Sequence, residues 1–314
     1  MEACKLNYKK LIPNREIRLK ILRLLSFVPD KYMIKTQYYL KTGRRLNLKN
    51  PRRFTEKLQW YKLYYKNPEM IRCVDKYEVR KYVEEKGLKS ILIPCYGVFD
   101  RVEDIDWKSL PDQFVMKDTL GGGGTSVVIV KNKNDANIEL LNSYATKWIS
   151  LGRTKDSGRE WPYHSGKKHR IIIEKYMDAD LNGGGLVDYK FFCFDGVPLW
   201  LYVIADRVMG EGGCLGVYDT NFVKMNVLRK DEHPLRREVK KPDTFERMIK
   251  IASILSKGFP EARVDLYDYR NEVLFGEITF FDGSGYMTFD PDEYDYVFGN
   301  AFSLESAKLY DGLQ

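Results

Sequence analysis

The chain contains 314 residues, of which 44% are hydrophobic, so it is long enough for two or three packed subdomains and has the composition of a globular protein. Its formal net charge of +8, from 52 basic and 44 acidic residues, favours an anionic partner: a nucleotide, an acidic polysaccharide, a membrane surface or a nucleic acid. The five cysteines are scattered and odd in number, which excludes a paired-cysteine zinc site and predicts a reducing, cytoplasmic location.

Residues 1–50 are strongly basic and form a predicted N-terminal extension. From Arg15 to Val28, apolar side chains alternate with Arg and Lys at helical spacing, which predicts an amphipathic helix. Charges interrupt its apolar run, so it is not a signal peptide, and it is too short and too charged to span a bilayer. Two interpretations stay open: the helix packs on the protein body, as most amphipathic helices do, or it lies on an anionic membrane surface.

The next region, 51–110, is predicted to be mainly helical. The sequence at 51–58 opens a second helix with Thr55 as its N-cap, and the aromatic residues that follow favour a core-facing stripe over base stacking. A third helix is predicted from Met70 to Glu85. Ile91 to Val98 then has the pattern of a strand.

A glycine-rich loop joins two predicted strands in the middle of the chain. The strand 113–118 contains Lys117 near its end, four glycines follow at 121–124, and a second strand covers 127–130. Such a run of glycine costs backbone entropy, and it is useful where backbone N–H groups must close over an anion. The loop lacks the Lys-Ser/Thr ending of a P-loop. It therefore predicts a mobile flap over phosphates with Lys117 as their counter-charge, and a flexible hairpin tip is the alternative.

The following segments alternate helices, strands and turns. The sequence predicts a helix at 136–149, a strand at 170–177, a hairpin of 188–194 and 198–204 turned at Asp195–Gly196, and a helix at 243–256. The long polar loop 150–169 is rich in basic residues. It fits either a lid over an acidic substrate or a solvated loop.

An acidic hairpin near the C-terminal end carries the strongest candidate site. Its strands flank the turn formers 268–271, and pairing Tyr267 with Val273 would place four polar residues on one face: Arg263, Asp265, Glu277 and Thr279. In that register Asp265 lies diagonal to Glu277, roughly 7 Å apart or less. Two carboxylates at this separation could hold a nucleotide-bound Mg²⁺, which needs one or two of them. The alternative is an ordinary cross-strand salt bridge between Arg263 and Glu277.

The order of these motifs resembles the ATP-grasp superfamily, and within it the TupA-like group associated with bacterial surface-polysaccharide gene clusters. The set comprises a Lys before a glycine flap, a strand ending in Glu-Lys-x-Met, an Asp-x-Lys strand, and an Arg-x-Asp hairpin with a returning Glu-x-Thr. Pro51–Trp60 (PRRFTEKLQW) and Gly158–Trp161 (GREW) resemble the same group. The resemblance covers the chain from residue 50 to the end, and its specificity comes from the ordered set.

The resemblance implies an α+β fold in which two subdomains grip ATP between them. It divides the chain into the basic helical extension 1–50, a helical region 51–110 that precedes the grasp fold, a small subdomain with the glycine flap at 111–178, and a C-terminal subdomain with the metal site at 179–314. ATP and Mg²⁺ are the cofactors that it implies.

The resemblance also implies roles for individual residues. Contacts with ATP are implied for two lysines, for the flap, for the strand end that reads the adenine edge and for a residue at the ribose: Lys76, Lys117, Gly121, Gly122, Gly123, Gly124, Glu174, Lys175, Tyr176, Met177 and Asp188. Asp265 and Glu277 would hold Mg²⁺. Arg263 would stabilise the transferring phosphoryl group or an acyl-phosphate, and Lys190 would add a phosphate contact. Many relatives have Asn where Thr279 stands, and Thr is a poorer Mg²⁺ ligand, which argues against a second metal ion.

The implied activity is an ATP-dependent carboxylate–amine ligase that acts through an acyl-phosphate and joins an amino acid or amine to an acidic sugar in capsule or related polysaccharide assembly. Its partners would be an acidic sugar or glycan and an amine, with no nucleic acid, in the cytoplasm or at the inner face of the membrane. Three alternatives stay open. A sugar kinase would use the same fold, a metal-dependent glycosyltransferase would use the Asp-x-Asp pattern at 178–180, and a nucleic-acid binder would use the basic charge and aromatics such as Trp60 and Tyr61.

Overall fold

The computed structural model describes residues 13–122, 126–151, 158–164, 166–178, 186–208 and 212–311. The helices are α1 (Arg15–Leu24), α2 (Asp30–Thr42), α3 (Phe54–Tyr64), α4 (Glu69–Val74), α5 (Glu78–Glu85), α6 (Ile138–Ile149), α7 (Phe245–Ser256), α8 (Tyr294–Ala301) and α9 (Glu305–Asp311). The strands are β1 (Cys95–Phe99), β2 (Phe114–Asp118), β3 (Val127–Val130), β4 (Ile171–Lys175), β5 (Asp188–Phe194), β6 (Val197–Val208), β7 (Gly212–Asp219), β8 (Leu228–Arg229), β9 (His233–Pro234), β10 (Glu261–Tyr269), β11 (Glu272–Thr279) and β12 (Phe289–Asp290).

A small antiparallel sheet has the strand order β1–β4–β2–β3. The strands β2 and β3 flank the glycine-rich loop, so the predicted strand–loop–strand unit is confirmed. The helix α6, predicted at 136–149, is also confirmed and covers one face of this sheet. Apolar side chains of the helix and the sheet share one core, made by Phe114, Met116, Leu141, Ala145, Trp148, Ile171 and Ile173.

A larger sheet has the strand order β11–β10–β5–β6–β7–β9, and all its pairs are antiparallel except β7 with β9. The strand β10 lies between β11 and β5, so residues of three strands meet along its length. The hairpin of β5 and β6 turns at Asp195–Gly196, as predicted, and both turn residues have positive φ. The helix α7 packs against β5, β6 and β10.

An aromatic cluster joins α3 to the larger sheet. Phe54 is fully buried and makes edge contacts with Phe192, Phe194 and Trp200, at ring-centroid distances of 5.7 to 6.1 Å. Of the aromatic residues predicted to form a core-facing stripe on this helix, Tyr61 is buried, Trp60 is half-buried and Tyr64 is exposed. The prediction is therefore confirmed at Tyr61 and wrong at Tyr64.

The predicted cap of α3 is wrong. Thr55 lies inside the helix, where its backbone N–H and its hydroxyl donate to Asp295 at 3.0 and 2.9 Å. Glu56 instead accepts from the backbone N–H groups of Arg52 and Arg53, at 3.0 and 3.2 Å, and thereby satisfies donors at the helix start. The Thr55 hydroxyl, predicted to cap the helix, thus donates to Asp295 on α8 instead.

The predicted helix from Met70 to Glu85 is two helices, α4 and α5. Asp75 lies in the break and accepts from the backbone N–H groups of Tyr77 and Glu78, both at 2.9 Å. An Asp side chain that satisfies N–H groups two and three residues later begins a new helix, so it interrupts the old one. The break places Lys76 outside both helices.

The N-terminal segment is helical but differs in its limits. α1 ends at Leu24, a 3-10 turn covers Leu25–Phe27, and α2 follows, which the sequence analysis did not predict. The strand predicted from Ile91 begins only at Cys95, because Lys89–Ile91 forms a 3-10 turn that buries Ile91. Among the described helices, none combines the length and apolarity that crossing a membrane requires. The four predicted domain segments stay predictions.

Truncating the aromatic contact of α3 tests this packing. We expect Phe54→Ala to lower the free energy of unfolding by about 3–5 kcal/mol, because it leaves a cavity among large rings. Tyr64→Ala on the same helix is the matched control, since Tyr64 is partly exposed, and it should cost about 1 kcal/mol or less. Urea unfolding followed by fluorescence measures both. Equal losses in the two variants would show that helix formation, and not ring packing, sets the cost.

Candidate functional site

Two acidic side chains face each other across the ladder of β10 and β11. Asp265 pairs directly with Glu277, and Arg263 pairs with Thr279. The predicted register, in which Asp265 lies diagonal to Glu277, is wrong because a bulge at Gly276 inserts one residue into β11. A Cβ at Gly276 would lie 3.0 Å from the carbonyl oxygen of Asp265, so glycine permits this close approach.

The turn of this hairpin is tighter than the sequence predicts. β10 continues to Tyr269 and β11 begins at Glu272, so Arg270 and Asn271 alone form the turn. Both have positive φ, 54° and 64°, as in the two-residue turns that match the twist of antiparallel strands. The predicted turn of 268–271 is therefore two residues too long, which adds to the error in register.

Arg263 binds both acidic residues from between them. Its Nε and Nη2 atoms donate to Asp265 at 2.7 and 2.8 Å, and Nη2 also donates to Glu277 Oε1 at 3.0 Å. Further contacts reach Thr279 Oγ1, at 3.0 Å, and Asp282. Burial alone would lower the pKa of Arg263, but Asp265 and Asp282 raise it well above its ordinary value. The guanidinium therefore remains charged inside a set of carboxylates.

Lys190 supplies a second, largely buried cation. It lies on β5 opposite Asp265, donates from Nζ to Asp265 Oδ2, and lies 3.5 Å from Asp188 Oδ2. Burial would lower the pKa of Lys190, but Asp188 and Asp265 raise it. Burial also raises the pKa of Asp265, and Arg263 and Lys190 oppose that shift. The structure thus brings Lys190 and Asp188, both predicted, to the acidic pair.

Lys76 links the glycine-rich loop to the same cluster. Its backbone N–H donates to the Thr119 carbonyl at 2.9 Å, and its Nζ donates to the Gly121 carbonyl. Burial lowers the pKa of Lys76, and the negative charge of Glu277 opposes this shift. The ammonium group therefore interacts electrostatically with Glu277 and also donates a hydrogen bond to the base of the loop.

The base of the loop is tightly folded. A Cβ at Gly121 would lie 2.6 Å from Cβ of Ser126, so a larger residue would displace one side of the hairpin. A Cβ at Gly122 would meet no atom within 4 Å. Gly123 and Gly124 lie outside the described residues. The role of the loop as a phosphate flap stays a prediction.

Lys117 and Glu174 form an ion pair between β2 and β4. Lys117 Nζ lies 2.6 Å from Glu174 Oε2, and Arg80 Nη1 lies 3.2 Å from Glu174 Oε1. The Glu174 carboxylate is buried and lies between these two cations. The structure therefore places the predicted phosphate contact, Lys117, beside the residue that begins the predicted adenine-reading segment.

The strand end that follows Glu174 combines exposed and buried residues. Lys175 is exposed, and its backbone N–H donates to the Pro94 carbonyl at 2.9 Å. Tyr176 is half-buried, with Lys131 Nζ 5.9 Å from its ring centroid, and Met177 is buried. Recognition of adenine by this segment stays a prediction.

Asp282 belongs to the cluster, although the sequence analysis did not single it out. It accepts from Arg263 through Oδ1 and from Arg229 Nη1 through Oδ2, the latter at 3.0 Å. Burial would raise the pKa of Asp282, but the two guanidinium groups lower it. The sequence feature that could have identified Asp282 is its position as a carboxylate in the turn-rich Phe-Asp-Gly-Ser-Gly stretch that directly follows β11. Arg229 carried no comparable signal.

Two stretches that carry the resemblance converge on this turn. From α3, Gln59 Nε2 and Lys62 Nζ both donate to the Ser284 carbonyl at 2.8 Å. From the Gly-Arg-Glu-Trp stretch, the Gly158 carbonyl accepts from Lys62 Nζ at 3.0 Å, and Glu160 accepts from Ser284 Oγ. These contacts fix the turn that carries Asp282.

Arg159 has a structural position and is not part of a lid. Its guanidinium donates to the Leu25 carbonyl at 2.7 Å, to the Val28 carbonyl at 3.0 Å and to Asp30 Oδ1 at 2.8 Å. The interpretation of the whole basic loop as a lid over the substrate is therefore wrong at Arg159, because backbone carbonyls of the N-terminal segment bind its side chain. Residues 152–157 of that loop lie outside the described residues.

The acidic pair fits the donor chemistry of magnesium. Within the part of the chain that the structure describes, no three His, Cys, Asp or Glu side chains form a metal-binding group. Asp265 and Glu277 nevertheless oppose each other with oxygen ligands only, and Mg²⁺ on a nucleotide takes its remaining ligands from phosphate and water. Thr279 Oγ1 accepts a hydrogen bond from Arg263 and donates one to Glu277 at 3.2 Å, so its hydroxyl already has a partner on each side.

Glu277 is the more accessible member of the pair. Its side chain is 44% exposed, whereas that of Asp265 is 1% exposed. Partial burial would raise the pKa of Glu277, but Lys190, Arg263 and Lys76 lower it to about 2. Glu277 is therefore a carboxylate at neutral pH, with one side open to an incoming ligand.

The chain matches the family model described as TupA-like ATPgrasp over residues 56–303. A comparison with curated proteins found no match. Solved structures similar to it include the D-alanine–D-alanine ligase of Bacillus anthracis, with 19% identity and a TM-score of 0.45 over 76% of this chain and 70% of that one. The D-alanine–D-alanine ligase of Helicobacter pylori has 16% identity and a TM-score of 0.43 over 81% of this chain and 67% of that one.

The family match extends over most of the chain and includes β2, the hairpin of β10 and β11, and the stretches around Gln59 and Glu160. The predicted α+β class and the predicted ATP-grasp fold are thereby confirmed. This chain belongs to the TupA-like ATP-grasp family.

Proposed function

We propose that the protein is an ATP-dependent, ADP-forming carboxylate–amine ligase. The observation that carries the proposal is the cluster in which Asp265 and Glu277 oppose each other around Arg263, with Lys190 and Lys76 beside them. Carboxylates suit a nucleotide-bound cation, and the ammonium and guanidinium groups suit the phosphates that it carries. Membership of the TupA-like ATP-grasp family supports the same assignment.

The chemistry requires activation, because a carboxylate does not react with an amine at neutral pH. The substrate carboxylate oxygen attacks the γ-phosphorus of ATP, the bond to ADP breaks, and an acyl-phosphate forms. The amine nitrogen then attacks the acyl carbon, loses a proton, and inorganic phosphate leaves. Mg²⁺, when bound to Asp265 and Glu277, would neutralise phosphate charge. Arg263 would stabilise the negative charge that develops on the transferring group.

The remaining predicted residues have positions that suit the nucleotide. Lys190 lies beside Asp265 and would contact a phosphate, and Asp188 would contact the ribose. Lys117 would exchange its partner Glu174 for a phosphate oxygen when ATP binds. The glycine-rich loop, bound at its base by Lys76, would cover the phosphates and exclude water from the acyl-phosphate.

For the substrates, we propose an acidic sugar, specifically a uronic acid, and an amino acid or other amine, joined during assembly of a surface polysaccharide. The family resemblance to proteins of polysaccharide gene clusters supports this choice. The protein would work in the cytoplasm, where ATP is available. A nucleic-acid partner is not part of the proposal, because a positive net charge alone is a weak signal for nucleic-acid binding.

Isotope transfer tests the ligase reaction directly. We expect incubation with ATP, Mg²⁺, an amino-acid mixture and a uronate labelled with ¹⁸O in its carboxylate to yield ADP, an amide and inorganic phosphate that carries ¹⁸O. The label moves because one carboxylate oxygen stays on phosphorus when the acyl-phosphate breaks down. Mass spectrometry measures the phosphate and the amide. A stable sugar phosphate without free phosphate would identify a kinase, and an amide formed without ATP consumption would refute the proposal.

Glu277→Gln isolates the contribution of the acidic pair. We expect it to lower the rate of ADP formation by about 100-fold or more and to weaken magnesium-dependent ATP binding, measured by calorimetry, because a charged oxygen ligand is lost. Asp265 is less suited to this test, since its loss would remove the carboxylate that both Arg263 and Lys190 contact inside the protein and would destabilise the fold as well. Glu272→Gln, on the exposed end of the same strand, is the matched control and should retain full activity. Equal activity in both variants would remove Glu277 from the site.

The electrostatic coupling at Glu277 predicts its titration. We expect carboxyl NMR to give a pKa of about 2 in the wild type, below the ordinary 4.5. Because the folded-state pKa is depressed, the contribution of Glu277 to stability is present above pH 4.5 and is lost as the pH falls toward 2. Lys76→Met should raise the pKa by removing one cation, whereas Lys257→Met, at an exposed site, should not. A wild-type pKa near 4.5 would contradict the cluster.

A further inference from the structure

The positive charge of the protein is concentrated in its N-terminal segment. Residues 1–50 contain 13 basic and three acidic side chains, whereas residues 51–314 contain 39 basic and 41 acidic ones. The net charge of the whole chain therefore comes from the segment that precedes the family match at residue 56. This charge is separate from the nucleotide site proposed above.

The same segment exposes large apolar side chains. Leu24, at the end of α1, is 75% exposed, and Phe27, in the following 3-10 turn, is 81% exposed. Tyr32 and Tyr39 are exposed on α2. We define the N-terminal tip as these four residues and four exposed basic residues close to them in the sequence. Its members are Lys20, Arg23, Leu24, Phe27, Lys31, Tyr32, Lys35 and Tyr39.

The tip is held in place by buried contacts on its inner side. The guanidinium of Arg159 is 2% exposed and donates to the Leu25 and Val28 carbonyls and to Asp30. On α2, Tyr38 is fully buried, and its hydroxyl forms a hydrogen bond with Thr55 Oγ1 at 2.9 Å. The tip therefore presents its apolar residues outward on a fixed frame.

We propose that the N-terminal tip binds the surface of a bilayer that contains anionic phospholipids. Leu24 and Phe27 are suited to insertion below the headgroups, and exposed tyrosines such as Tyr32 prefer the interface. The surrounding lysines and arginines complement the negative surface potential of such a membrane. Exposed basic and apolar residues recur at helical spacing on one face of α2, from Lys31 to Tyr39, and lie next to each other at the end of α1. This combination distinguishes a peripheral membrane site from a scattered basic patch.

Vesicle flotation of the full chain tests the proposal. We expect binding to vesicles of phosphatidylcholine with phosphatidylglycerol, reduced by high salt, and little binding to phosphatidylcholine alone. Leu24→Ser combined with Phe27→Ser should lower the bound fraction about tenfold, because the inserted apolar groups are lost. Val223→Ser combined with Val297→Ser replaces two exposed apolar residues elsewhere and should bind like the wild type. Equal binding by both double variants would overturn the proposal.

Charge reversal and insertion depth provide independent readouts. Lys31→Glu with Lys35→Glu should weaken binding to anionic vesicles, whereas Lys224→Glu with Lys257→Glu, also at exposed sites, should not. In a Phe27→Trp variant, lipids brominated on their acyl chains should quench the new fluorescence. If the wild type does not bind vesicles, the tip does not bind lipid. If the wild type instead self-associates, and the Leu24 and Phe27 changes abolish that self-association, the tip is a contact between copies of the chain.

Discussion

The buried guanidinium of Arg263 is the interaction on which the site depends. Three carboxylates, from Asp265, Glu277 and Asp282, contact it, and they come from two neighbouring strands and the turn that follows them. Burying a charge costs several kcal/mol unless it is paired and hydrogen-bonded. The hairpin, its bulge and the turn after β11 must therefore adopt one mutual arrangement, because any other would leave a buried charge without compensation.

The cluster balances its own charges without a ligand. Asp265 lies between Arg263 and Lys190, Glu277 is approached by three cations, and Asp282 lies between two arginines. On the proposed function, a magnesium nucleotide would exchange partners with the cluster: its cation would replace the basic groups at the carboxylates, and its phosphates would take up the basic groups. A site arranged in this way needs little reorganisation when the reaction begins, which is the condition for electrostatic catalysis.

The sequence predicts the content of the site better than its geometry. The predicted pairing of Tyr267 with Val273 places Arg263, Asp265 and Glu277 on one face. The structure also brings them together, because the bulge at Gly276 offsets the one-residue change in register that pairs Tyr267 with Leu274. The register itself depends on the bulge at Gly276 and on a two-residue turn, neither of which follows from hydrophobic pattern. Asp282 lies in an irregular turn fixed by contacts from distant segments, so local pattern could not place it.

The turn at Asp282 and the N-terminal tip are joined by one short stretch of chain. Gly158 and Glu160 contact Lys62 and Ser284 beside the acidic cluster, while Arg159 between them binds the carbonyls at the tip. Three consecutive residues thus connect the proposed membrane surface to the proposed reaction site. If both proposals hold, the orientation of the nucleotide cleft relative to a bilayer is set by these buried polar contacts, and an acceptor carried on that bilayer would meet the site in a fixed direction.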